Sequence, residues 1–259
     1  MKDKKIDFLV LIALTAISVP YAILTRDYFI GKPLVIFFIF FVPQILYLAK
    51  REKKPWKKIF LSTFTFGLLF GFFFEFIQEF NRAYSVVSSV FPFKLLGIVP
   101  PDNVIGHMIM TFSIMVFYEH FILTKKTKHI SPLFFFITLG AIVVNISLII
   151  IFLVQPARLK LNYSYAFLGT AAIIPVLLLG VLKTERVKEI ISVMPYFFFL
   201  FLLMELLAVG LNWWVYPGNT YIGWVEVFSL RFPFEELFFW MIFYAPALIS
   251  YRELFLEKD

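Results

Sequence analysis

The feature that most constrains this chain is the recurrence of long apolar stretches. A helix crossing the hydrocarbon core of a bilayer needs about 20 mostly apolar residues. Eight stretches approach or reach that length: Ile6–Leu24, Leu34–Ala49, Ile59–Phe80, Val104–Leu123, Leu133–Val154, Tyr163–Leu182, Ile191–Val215 and Pro233–Ser250. Composition agrees, since 61% of the residues are hydrophobic and 16% charged, whereas soluble domains run nearer half apolar and about a quarter charged. The same figures exclude a disordered chain. With no cysteine there is no disulfide framework, thiolate metal site or cysteine nucleophile. Lys2, Lys4 and Lys5 before an apolar run imitate a signal peptide, but no small-residue cleavage site follows and Pro20-Tyr21 continues the run. It therefore reads as a first span, and the fold class as all-α and polytopic, with about eight transmembrane helices. The second, short and containing Pro43, fits the pattern least well.

The formal charge of +7 is distributed rather than patched. The N-terminal tail, the connections after spans 2, 4 and 6 and the C-terminal tail hold 17 of the 24 Lys and Arg residues; the opposite connections hold 7. Lys and Arg concentrate on the cytoplasmic side of membrane proteins. The expectation is a multi-pass protein of the cell membrane with both termini cytoplasmic. Its cations serve orientation and contact with membrane lipids, and nucleic acid is not an expected partner.

Sliding the chain against itself by 133 residues superposes Pro100, Asp102, Asn103 and Tyr118 on Pro233, Glu235, Glu236 and Tyr251. Each set follows a long apolar helix and a polar, aromatic connection of some twenty residues, and each precedes another apolar helix. Spans 1–4 would repeat as spans 5–8, giving units 1–128 and 129–259 within one membrane domain. A four-helix unit returns to the side on which it began, so the copies should be parallel, with a shared interior as the natural place for a site.

Carboxylates inside such spans carry the most information, because each costs at least ~2.5 kcal/mol to insert. Glu75 and Glu79 are four apart and share a helical face, which Arg82 extends. Glu205 lies within the seventh span, with Asn212 seven residues on along the same face. Glu235 and Glu236 follow Pro233 among Phe232, Phe234, Phe238, Phe239 and Trp240; Asp102, Asn103 and His107 occupy the matching end of the fourth span. A proline followed by two acids is also an ordinary helix start. Recurrence in both halves, each with a carboxylate in the preceding helix, favours a site. For Glu75, Glu79 and Arg82 a bundle-orienting buried ion pair competes evenly with catalysis. Taken alone, His107 reads as a hydrogen-bonded helix residue. Glu119 and His120 are expected at the interface, and most of the 36 phenylalanines at lipid and packing surfaces.

The succession Glu205, Trp214-Val215-Tyr216, Gly223 and Pro233-Phe234-Glu235-Glu236-Leu237-Phe238-Phe239 resembles the repeat of the lycopene cyclase domain family, the small membrane-type carotenoid cyclases. The first half is similar but altered: Glu75, Tyr84, Leu96-Gly97, Pro100-Pro101-Asp102-Asn103 and Tyr118-Glu119. The resemblance covers about half the chain. The first half departs from it in two ways: Asp102-Asn103 stands where an acid pair is expected, and Tyr84 where tryptophan is.

The resemblance implies a cofactor-free isomerisation of a lipophilic polyene. A carboxylic acid protonates the terminal double bond, the tertiary cation is attacked by a neighbouring double bond, and proton loss leaves a ring. Such an acid must be kept protonated, which apolar burial favours, and the cation needs aromatic faces, each worth about 0.5–2 kcal/mol. Glu235 or Glu236 is the expected acid, with Glu205 tuning it or accepting the proton. Trp213, Trp214, Tyr216 and Trp224 are the expected cation stabilisers, and Asn212, Phe239, Glu75, Glu79, Asp102, Asn103 and His107 line the substrate site. No metal or cofactor is expected, and a homo-oligomer is allowed. Two other readings stay open. In a metal-dependent intramembrane protease Glu235-Glu236 would be the opening acids, although Trp240 stands where arginine is expected and the only histidines are His107, His120 and His129. In a non-catalytic lipophile binder or transporter the intramembrane acids would be ligand or proton-relay groups.

Overall fold

The computed structural model describes residues 2–26, 33–51, 55–123 and 130–256. Asp27, His129, Asp259 and the expected boundary at 128/129 lie outside these residues. The described chain is helical almost throughout. Helix α1 is Lys2–Leu24 and α2 Pro33–Ala49. Helix α3 is the run Trp56–Phe80, α4 is Pro101–Phe121, α5 Pro132–Val154 and α6 Ser164–Leu182. A short α7, Thr184–Ile191, leads into α8, Met194–Gly210. The last run, α9, winds as a π-helix over Glu236–Ile242, as an α-helix over Tyr244–Tyr251 and as a π-helix over Arg252–Leu256.

Among the described residues, α1, α3, α4, α5, α6 and the α7–α8 run are long and apolar enough to cross a membrane. Two of the eight expected spans, α2 and α9, fall short as continuous α-helix. The former stops at 17 residues with Pro43 inside it, and the latter changes winding twice. Prolines are tolerated inside helices where neighbouring groups re-satisfy the backbone: the Ile39 carbonyl, four residues before Pro43, accepts from Ser18 Oγ of α1 at 2.9 Å. The Gln44 amide donates to Phe40 O at 2.8 Å and Thr15 Oγ1 at 3.1 Å, and it accepts from Tyr196 Oη at 2.5 Å, tying α1, α2 and α8 together. Helix α3 carries a π-wound segment over Thr63–Phe70, and Asn145 of α5 donates to Leu69 O within it at 3.0 Å. A polar side chain entering the backbone ladder in this way is a recognised cause of local helix distortion.

Burial separates the helices into an inner and an outer set. In α4, 72% of the apolar stretch is buried, against 17% in α5 and 28% in α1 and α6. Helix α4 is the axis against which α2, α3 and α9 pack. Its start is built from Pro100 in extended conformation and Pro101 in the first turn, where a missing N–H costs nothing.

Helices α3 and α8 end alike. Arg82 and Asn212 adopt left-handed φ values of 57° and 56°, and the next residues, Ala83 and Trp213, donate their N–H groups back to Gln78 O and Ala208 O at 2.9 and 2.8 Å. This corrects two shared faces inferred from spacing. The helices stop at Phe80 and Gly210, so Arg82 does not extend the Glu75–Glu79 face and Asn212 does not continue that of Glu205; both side chains are exposed. The segments that follow meet each other: β1, Ser85–Val86, pairs antiparallel with β2, Trp214–Val215. Beyond β2 a hairpin, β3 Trp224–Val227 with β4 Leu230–Pro233, turns through Phe228 and Ser229, both left-handed (φ 50° and 65°). Pro233 ends this strand, and helical winding starts directly after it at Phe234, so Glu235 and Glu236 lie in the first turn as expected.

Glu119 and His120, near the end of α4, are buried between helices. Glu119 forms an ion pair with Arg252 of α9, both fully buried, while Tyr118 Oη donates to Glu253 at 3.0 Å. His120 Nε2 lies 2.9 Å from Asp7 of α1, which also accepts from Tyr47 Oη at 2.7 Å and pairs with Arg51 at 2.7 Å. Their partners on α1 and α9 are distant in sequence and leave no local signal. Removing one member of a buried pair leaves an uncompensated charge at about 3–5 kcal/mol, whereas an apolar pair of similar size is tolerated. Arg252→Met should therefore lower the unfolding midpoint in detergent clearly, and Glu119→Leu/Arg252→Met should recover most of that loss. A double variant no better than the single one would show that the pair does not join α4 to α9.

Candidate functional site

The inner helices converge on a small chamber of 40 Å³ lined by Phe37, Phe74, Glu75, Tyr84, Asn103, His107, Met110, Tyr165, Met204, Trp214, Tyr216, Glu236 and Trp240. One wall comes from α3, α4 and the segment after α3. Glu75 accepts from the Tyr84 hydroxyl, from Asn103 Nδ2 at 2.8 Å and from His107 Nε2 at 2.6 Å. Asn103 Nδ2 also reaches Tyr84 Oη at 2.5 Å. His107 Nδ1 lies 2.9 Å from Tyr244 Oη. Gly71 makes the approach possible, because a Cβ there would stand 2.9 Å from His107 Cβ.

The other wall comes from α6, α8, α9 and β2. Glu205, 1% exposed, accepts from Trp214 Nε1 at 3.1 Å and from Tyr216 Oη at 2.7 Å. Glu236 accepts from the Tyr165 hydroxyl and lies beside Tyr216. Tyr84 and Tyr216, outside the helices, both have phenols held well above their ordinary range, first by burial and then by the neighbouring carboxylates. They remain hydrogen-bond donors at any physiological pH. Glu75 and Glu236 thus line one aromatic chamber, and Glu205 is bonded to its lining residues Trp214 and Tyr216; the donors to the three acids are phenol, indole, imidazole and amide groups.

The remaining residues singled out from the sequence lie around this chamber rather than in it. Glu235 and Asp102 act alike, each accepting a backbone N–H from the preceding loop. Glu235 accepts from Ile222 at 2.6 Å and Asp102 from Val90 at 3.0 Å, with the Ser89 hydroxyl also on Asp102. Both are fully buried, and Glu235 Oε2 has no hydrogen-bond partner among the described residues. Glu79 accepts weakly from Val86 N at 3.4 Å and faces Lys94 at 3.9 Å. Trp213 is buried behind Trp214. Trp224 is half-exposed on the hairpin, beneath Arg231 at 4.5 Å and against Tyr221. Phe239 packs on Gly169 of α6, where a Cβ would collide with its ring at 2.3 Å. Asn212 terminates α8. Sequence reading missed Tyr165, Phe37, Phe74, Met110 and Met204. Phe37 belongs to an apolar run without distinguishing neighbours. Phe74 and Met204 directly precede Glu75 and Glu205, and Met110 lies three residues after His107. The signal at Tyr165 is a hydroxyl at the second residue of α6.

A second, larger cavity of 330 Å³ adjoins the chamber, and Phe74, His107, Tyr165 and Trp240 line both. Its walls include the π-wound parts of α3 and α9 through Phe66, Phe70, Phe239 and Trp240. Single π turns inside helices recur at functional sites.

The loop-clamping role of Glu235 has a direct test. Truncating it removes the side-chain acceptor of the Ile222 N–H, a hydrogen bond worth about 0.5–1.5 kcal/mol. Glu235→Ala should accelerate hydrogen exchange through residues 217–223, and Glu236→Ala should leave those amides as protected as in the wild type. Equal exchange in the two variants would mean that Glu235 does not hold the loop. Comparisons with family models, with curated proteins and with solved structures find no match for this chain.

Proposed function

We propose that this chain is a membrane-embedded, cofactor-free cyclase of linear polyene end groups, and that Glu236 is its acid. The supporting observation is that Glu236 and Glu75 line one aromatic chamber, with Glu205 hydrogen-bonded to two of its lining residues, Trp214 and Tyr216. Protonation of a terminal alkene needs a carboxyl group kept neutral at the operating pH, and apolar surroundings favour the neutral form. Between the two acids that follow Pro233, geometry favours Glu236, which lines the chamber, over Glu235, which holds a loop.

In the reaction the Glu236 proton passes to the terminal carbon–carbon double bond. The tertiary cation so formed is attacked by the electron pair of a neighbouring double bond, closing the ring. Loss of a proton to the same carboxylate restores the acid and an alkene, so no atoms or electrons are gained or lost. Glu205, joined through Tyr216 to this wall, tunes the acid. The faces of Trp214, Trp240 and Phe37 surround the cation, and Trp214 and Phe37 are already stacked at 6.4 Å. Asn103, in place of a second acid in the first half, contributes a donor to Glu75. The chamber is therefore chemically two-sided.

The same reading includes a tandem duplication of four-helix units, with both termini cytoplasmic by the distribution of Lys and Arg. Its support lies in corresponding positions: Glu75 and Glu205, Arg82 and Asn212, and Tyr84 and Trp214 at an interval of 130 residues, then Asp102 and Glu235, and Asn103 and Glu236 at 133. At the first four pairs the side chains or backbones play related parts, and Asn103 and Glu236 both line the chamber. A second reading, a lipophile binder or transporter, is favoured by the size of the chamber. A volume of 40 Å³ holds about three waters at most, so a ring can form only after the shared wall gives way.

Pigment analysis of a lycopene-accumulating host separates the two. Ringed products are expected with the wild type, at least about 100-fold less with Glu236→Gln, as for loss of a general acid, and substantial product with Glu235→Gln. Unchanged lycopene alongside well-inserted wild-type protein would contradict cyclisation. Product that survives Glu236→Gln but is lost in Glu235→Gln would contradict the choice of acid.

A further inference from the structure

The larger cavity does not take part in the acid chemistry, and its composition and mouth differ from those of the chamber. Its lining is almost wholly hydrocarbon, with polar atoms confined to the His107 end and the phenols of Tyr165, Tyr244 and Tyr251. Two lining residues, Val144 of α5 and Ala171 of α6, are exposed on the outer surface, so the cavity opens between those helices. Val144 lies about 18 Å along a helix about 35 Å long, at 1.5 Å per residue. If α5 spans a bilayer, that opening faces the middle of the hydrocarbon layer, where neither water nor a lipid headgroup resides.

We infer that this cavity binds one end of a long, headgroup-free hydrocarbon chain, which enters sideways from the bilayer between α5 and α6. Four features specify such a ligand. The volume of 330 Å³ lies at the lower end of small-molecule sites, enough for a chain end while the rest of the molecule stays in lipid. Among the described residues, no Asp, Glu, Lys or Arg lines it to receive a carboxylate, phosphate or ammonium group. Gly169 lets Phe239 tuck against α6, so the ring does not fill the space. The inner end is closed by Trp240, stacked with Phe74 at 6.5 Å and meeting His107 edge-on at 5.0 Å, and the acid chamber lies directly behind it. Trp240 is thus the gate between a storage site for the chain and the polar chamber. The binding inference holds whether or not the bound end is cyclised.

The test is a binding measurement on the full chain in phospholipid nanodiscs, using lycopene as the probe and quenching of tryptophan fluorescence as the signal. Saturable quenching is expected in the wild type, with most of the amplitude lost in Trp240→Phe. Ala172→Phe, which fills the cavity, should weaken binding about tenfold or more, equivalent to about 1.4 kcal/mol. Leu139→Phe, on the exposed face of α5 and away from the cavity lining, should bind as the wild type does and controls for insertion and folding. Undiminished lycopene affinity in Ala172→Phe, or no saturable quenching in the wild type, overturns the site. A doxyl-labelled phosphatidylcholine that quenches with the same saturation and the same sensitivity to Ala172→Phe would overturn the assignment to a headgroup-free chain. None of these outcomes depends on turnover, so lycopene binding without ringed pigment would leave this inference standing while removing the cyclase reading.

Discussion

The structure depends on one constraint: a carboxylate taken into an apolar interior must find its donors inside the protein. Apolar side chains offer no donors, and an ionisable group without partners costs several kcal/mol. Buried acids in this chain are answered from other elements, often ones distant in sequence. Glu75 on α3 is held by Tyr84, Asn103 and His107, and Glu205 on α8 by Trp214 and Tyr216. Glu119 on α4 is held by Arg252 on α9, and Asp7 on α1 by Tyr47, Arg51 and His120. These bonds dictate which helices lie side by side, where greasy surfaces alone would allow many arrangements.

Two kinds of partner produce two kinds of polar centre. Toward the ends of α4 and α9 the acids meet arginine and histidine, and their role is to lock helices together. Around the chamber Glu75, Glu205 and Glu236 meet phenols, an indole, an amide and one imidazole. These donors hold the carboxyl groups in place without an arginine or lysine beside them among the described residues. The small residues nearby serve the same end: Gly71 and Gly169 let His107 and Phe239 come close to α3 and α6.

Much of this was legible in the sequence. Apolar length located the helices, and the expense of intramembrane acids pointed to Glu75, Glu205 and Glu236, all three in or against the chamber. Spacing arguments failed where helices ended early. A 3.6-residue period continued past Phe80 and Gly210, but the left-handed Arg82 and Asn212 stop both helices and carry the chain into the β1–β2 pairing. Asn212 is a residue type that commonly ends helices in this conformation, so its stop carried a local signal that the spacing argument overrode, whereas Arg82 carried none. The division of labour between Glu235 and Glu236 was also hidden, because adjacent acids at a helix start are equivalent in sequence and differ only in what the preceding loop offers them. Tyr165, Phe37 and Met204 reach the chamber through packing between distant elements, which periodicity within one helix does not report.

The two halves of the chain close over a single chamber, their connecting segments meeting at β1 and β2. The natural absence of cysteine makes this closure directly measurable. Ser85 and Val215 are opposed in an antiparallel pair, which places their Cα atoms about 4.5–5.5 Å apart, within disulfide range. In native membranes, Ser85→Cys/Val215→Cys should form an intramolecular disulfide rapidly under mild oxidation, and Ser85→Cys/Phe228→Cys, with its second cysteine at the exposed hairpin tip, should not. Failure of the first pair to link, or equal linking of both, would contradict the shared chamber.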